Sequence, residues 1–81
     1  MKEFEESDNQ LVTDFKESVD AHVSKYYDAE EYEIIIEELL SVFDFDYLDI
    51  AIERAIDMYK QNAAFRLYKV KAHILKFELD L

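Results

Sequence analysis

Apolar residues recur along this chain at intervals of three and four, the spacing that lines one face of an α-helix. The first run, Asn9 to Tyr26, predicts a helix with the stripe Leu11, Val12, Phe15, Val19, His22, Val23 and Tyr26. Asp14, Glu17, Asp20, Ala21, Ser24 and Lys25 fall on its other side. Residues 1–8 precede that pattern and read as a flexible start. A second helix begins after Asp28. Asp28 and Glu31 form a capping-box pair, in which a side-chain oxygen and a carboxylate three residues on satisfy each other's backbone N–H. Its stripe is Tyr32, Ile35, Ile36, Leu39, Val42 and Phe43, with Ile34 expected to be exposed among glutamates. A third helix starts near Asp44 or Phe45, capped by Asp44 or Asp46. Phe45, Leu48, Ile52, Ala55, Ile56 and Tyr59 share one face, and Asp46, Asp49, Glu53 and Asp57 share the opposite one. Ala51 is small enough to let helices approach closely.

The fourth run differs. It opens after Asn62, the expected cap, and continues to the end of the chain. Phe65, Tyr68, Ala72, Leu75 and Leu79 form one stripe, and Leu67, Val70, Ile74 and Phe77 form a second, about a third of a turn away. Arg66, Lys69, His73 and Lys76 are expected as a basic wedge between them. A surface helix needs one apolar stripe, so a second one asks for a second neighbour. The eight residues Leu67, Val70, Ile74, Phe77, Arg66, Lys69, His73 and Lys76 are the candidate partner-binding surface. The last residues, Phe77 to Leu81, carry no helix-stop signal, and the pattern reads as interrupted, as if part of something larger.

Composition narrows the fold further. The chain has 81 residues and neither glycine nor proline. Hairpin turns and phosphate-cradling loops usually recruit one of these. The expected fold is therefore all-α, about four antiparallel helices joined by short polar links in a single domain. A stack of helical hairpins and a closed four-helix bundle both fit that pattern. With 51% hydrophobic residues the chain is too apolar for a disordered acidic tail. With 36% charged residues it has no apolar run long enough to span a membrane. Met1 to Glu6 lack the apolar core of a secretory signal, so the expected compartment is the cytoplasm.

The net charge of −11 argues against nucleic acid, whose phosphates need a basic footprint. Residues 1–53 hold 3 basic and 17 acidic side chains, and residues 54–81 hold 6 and 3, a split of −14 and +3. The two parts either attract each other, within a chain or between copies, or form ordinary solvated faces.

Residues Tyr32 to Asn62 resemble a tetratricopeptide repeat, a 34-residue antiparallel helix pair. Tyr32 stands at the first-helix aromatic position, Ile35 at the following leucine and Leu39 at the later aromatic. Phe45-Asp46-Tyr47 matches the acidic-aromatic turn, Ile52 the second-helix aromatic and Ala55 the small residue after it. The chain departs from the pattern at Ile36 and Leu48, where small residues are usual, at Phe43, where glycine is common, and at Lys60, where proline ends the unit. More loosely, Tyr27 to Tyr32 followed by Phe45-Asp46 is similar to the amino-terminal region of some bacterial repeat proteins. The resemblance implies a repeat-like pair over 29–62, with 63–81 as the first helix of a next repeat. It also implies a scaffold that binds a protein partner or stacks on further repeats.

Reactive chemistry has little support in the pattern. His22 lies mid-stripe and reads as a core or interface histidine, and His73 reads as a surface residue. Asp44 to Asp49 suggests an acidic loop, but a calcium loop needs a turn glycine and an acid at its twelfth position, which here is Ala55. The serines lack the Asp-Ser-Leu setting of an acyl carrier. No cofactor, metal or catalytic residue is expected. Tyr27 and Tyr47 are the tyrosines expected to be exposed. The function expected is a non-catalytic protein–protein interaction module that self-associates through the second stripe of its last helix. The alternative is a small acidic helical protein that binds a basic partner through Glu30, Glu33, Glu37, Asp46, Asp49, Glu53 and Asp57.

Overall fold

In a computed structural model, which describes residues 6–79, the chain forms four α-helices. They are α1 (Glu6–Asp20), α2 (Ala29–Ser41), α3 (Phe45–Met58) and α4 (Ala63–Leu79). No strand occurs among the described residues. Packing follows chain order: α1 lies on α2, α2 on α3 and α3 on α4, with a smaller contact between α2 and α4. The first and last helices share no substantial contact, so this is an open stack of four helices and not a closed bundle.

Local signals set the starts of α2 and α4. The Asp28 carboxylate accepts from the Glu31 N–H at 2.8 Å, and Glu31 accepts from the Asp28 N–H at 3.0 Å, completing the capping box. The Asn62 side chain accepts from the Ala64 N–H at 2.9 Å. Asp44 occupies the cap position of α3 but makes no cap hydrogen bond through its side chain. Its carboxylate is instead 2.9 Å from Lys16 of α1.

The core is one cluster. Phe15, Tyr32, Ile35, Ile36, Leu39, Leu48, Ile52 and Phe65 are its largest fully buried side chains. Ala51 and Ala55 are also fully buried, which leaves room for close helix contact. A run of aromatic rings crosses the stack. Phe15 meets Tyr27 at 6.1 Å, Tyr27 meets Tyr32 at 5.5 Å, and Tyr32 meets Phe65 at 6.3 Å, all edge-on.

Two helix ends depart from the expected pattern. The first helix stops at Asp20, not Tyr26, because His22 turns to φ 59. The His22 N–H donates to Val19 O and the Val23 N–H to Ser18 O, at 3.0 and 2.8 Å. This is a Schellman motif, the usual work of a glycine. His22 is therefore exposed and not in the core, and Val23 and Tyr26 are exposed with it. The link that follows, residues 21–28, returns across the end of α1 and buries Tyr27, which was expected outside. The Tyr27 hydroxyl donates to Asp14 at 2.6 Å.

The same device ends α2. Phe43 takes φ 57, its N–H donates to Leu40 O at 3.2 Å, and the Asp44 N–H donates to Leu39 O at 3.0 Å. Val42 and Phe43 consequently leave the buried stripe and are exposed. Ile34, expected outside, is half-buried. Tyr47, also expected outside, is half-buried and donates to Asp20 at 2.7 Å, because α3 crosses beside the end of α1. Of the start expected to be flexible, residues 1–5 lie outside the described residues and residues 6–8 belong to α1.

Candidate functional site

Helix α4 is held on one side only. Phe65 and Ala72 are buried against the stack. Tyr68 donates its hydroxyl to Glu37 of α2. Lys69 lies 2.8 Å from Glu53 and Lys76 lies 2.6 Å from Asp49, both on α3. These contacts turn the face around Phe65 and Ala72 inward. At about 100° per residue, Leu67, Val70, Ile74 and Phe77 then point roughly the opposite way. They are 69%, 56%, 53% and 70% exposed, respectively. The same spacing sets the second stripe nearly half a turn from the first, and not the third of a turn expected. Leu79, expected on the inner stripe, is exposed as well.

The basic wedge is divided by the fold. Lys69 and Lys76 face α3 and are taken up by its carboxylates. Lys76 also lies 5.9 Å from the Phe45 ring centre. Arg66 and His73 remain exposed at the edge of the outer stripe. Among the described residues Arg66 has no carboxylate within salt-bridge distance. The other edge of the stripe carries Lys71 and Glu78, both exposed. Neither was among the candidate residues. Their signal was on the wheel, where they border the second stripe on the side away from the wedge.

Two shallow grooves run beside the stripe. One, of about 540 Å³, lies between the start of α3 and the end of α4, lined by Phe45, His73, Lys76, Phe77 and Leu79. The other, of about 510 Å³, lies between α2 and α4 and includes Leu40, Lys71, Ile74 and Leu75. Both are open and largely apolar, so they extend the surface that a neighbouring helix would meet.

The alternative surface is partly occupied from within. Asp49 and Glu53 of the acidic α3 face are in ion pairs with α4, and Glu37 holds the Tyr68 hydroxyl. The resolved shifts take Asp14 down and Tyr27, Tyr32, Tyr47, Tyr59 and Tyr68 up. Burial, and then its bond to Glu37, keeps Tyr68 a protonated donor. No described helix is long and apolar enough to cross a membrane. Comparison with protein-family models, curated proteins and solved structures matched none of them.

Proposed function

We propose that this chain is a non-catalytic protein–protein interaction module, a tetratricopeptide-like scaffold unit, that works through the outer face of α4. One observation carries this reading. Four large apolar side chains, Leu67, Val70, Ile74 and Phe77, stand more than half exposed on a helix whose opposite face is already packed. Contiguous apolar surface on a chain this small marks an interaction site.

Two further features support the repeat-like character. Helix α4 leans on both α3 and α2, as the first helix of a following repeat would. The left-handed residue after α2 falls at Phe43, where the repeat commonly carries glycine. The acidic alternative is weakened by the ion pairs that Lys69 and Lys76 make with Glu53 and Asp49.

Light scattering over a concentration series tests the reading. The chain is expected to exceed its single-chain mass of 9.7 kDa as concentration rises. Ile74→Glu with Phe77→Glu is expected to hold it at that mass while circular dichroism stays helical. A double variant with unchanged association would sink the assignment of this face.

A further inference from the structure

We infer that the outer face of α4 receives a basic amphipathic helix of another protein, laid along the trough between α4 and α2. This rests on the reading above and adds the partner's chemistry and the side on which it lies.

The outer stripe borders a groove on each side, and the two sides differ in charge. On the α3 side, Asp49 and Glu53 are already paired with Lys76 and Lys69. On the α2 side, a groove of about 510 Å³ and another of about 280 Å³ share Tyr68 and Lys71, and so run together as one trough. Its apolar lining includes Leu40, Leu67, Ile74 and Leu75. Leu67 and Ile74 belong to the outer stripe and are more than half exposed. From Ala64 to Glu78 the trough follows α4 for about four turns, or roughly 21 Å. An apolar strip of that length between two helices suits a third helix, anchored through residues three and four apart.

The wall of the trough is acidic. Glu33, Glu37 and Glu78 line it, against the ammonium of Lys71. Glu30, Glu33 and Glu37 follow one another by three and four residues, so they form one row along α2. Among the described residues, no α2 carboxylate is in an ion pair. Burial, then the bond to Glu37 and the charges of Glu37 and Glu33, hold the Tyr68 hydroxyl above the ordinary tyrosine value. Both carboxylates therefore bear on one point of the trough. A helix with lysine or arginine residues four apart meets Glu33 and Glu37 together. The net charge of −11 draws such a partner in and repels a second copy. Association between copies is then the weaker use of this face.

A synthetic peptide of about four helical turns tests this, with leucine along one face and lysine along the other. Fluorescence anisotropy is expected to show that it binds the chain and that its counterpart with glutamate for lysine does not. Glu33→Gln with Glu37→Gln keeps an acceptor for Tyr68 and is expected to weaken binding about tenfold. Lys71→Gln is expected to tighten it about threefold. Glu17→Gln with Asp57→Asn removes the same charge from exposed positions on α1 and α3 and is expected to change little. An equal loss from this second pair would mean attraction to the chain as a whole and overturn the inference. Tighter binding of the glutamate peptide would overturn it too. If neither peptide binds while Ile74→Glu with Phe77→Glu still abolishes association between copies, the inference falls and the α4 reading stands. If those two glutamates change neither peptide binding nor association, both fall together.

Discussion

The Lys69 ammonium of α4 stands 2.8 Å from the Glu53 carboxylate of α3. About two turns further along, Lys76 repeats the contact with Asp49 at 2.6 Å. This pair of contacts joins the basic end of the chain to its acidic middle, and it does so within one molecule. Both pairs are substantially exposed to water, so each contributes little to stability. Lys69→Ala and Lys76→Ala are each expected to cost less than about 1 kcal/mol in urea unfolding. Neither is expected to alter association of the chain. A large loss of association from Lys69→Ala would return that lysine to the partner surface.

Tyr27 is the residue on which the first link turns. Its ring packs between Phe15 and Tyr32, and its hydroxyl is bonded to Asp14 at 2.6 Å. Truncation to alanine removes a buried aromatic side chain and is expected to cost about 3–5 kcal/mol. Tyr27→Phe keeps the packing and is expected to cost about 1 kcal/mol at neutral pH, since Asp14 retains Lys25 as a partner at 2.6 Å.

The same tyrosine predicts an alkaline weakness. Burial, and then the bond to Asp14, raises the Tyr27 hydroxyl above the ordinary tyrosine value. The folded state then holds its proton where the unfolded chain, with a pKa of about 10, has released it. The stability tied to that proton is fully present below pH ~10 and is lost as pH climbs toward the folded value. Urea midpoints at pH ~8 and ~11 should fall less for Tyr27→Phe than for the parent chain. An equal fall in both would show that Tyr27 does not carry the effect.

His22 and Phe43 occupy left-handed backbone in a chain that has no glycine. A side-chain-bearing residue there costs roughly 1–2 kcal/mol relative to glycine, part of which glycine returns as entropy of the unfolded chain. His22 is exposed, so His22→Gly is expected to raise stability by about 0.5–1 kcal/mol. Phe43→Gly should gain less, because its ring lies 6.2 Å from that of Phe45 and that contact is lost. Thermal unfolding of the two variants checks the order. Destabilisation by His22→Gly would contradict the observed helix ending.

Much of the architecture was legible before any coordinates. The capping box at Asp28 and Glu31, the cap at Asn62 and the periodic stripes of α2, α3 and α4 come from contacts within about four residues. Such signals sit in the chain itself, and the second stripe of α4, the basis of the candidate site, is one of them. The remainder depended on distant partners. Without glycine or proline to mark it, the end of α1 falls at a left-handed His22, and the link beyond it is held by Tyr27 reaching back to Phe15 and Asp14, thirteen residues away for the latter. The wheel could group Arg66, Lys69, His73 and Lys76, but only the approach of α3 draws Lys69 and Lys76 inward to Glu53 and Asp49. Helical periodicity is a local property that the sequence determines by itself. Which face meets a neighbour, and which charges remain for another chain, depends on contacts between segments far apart in sequence, and these exist only in the folded stack.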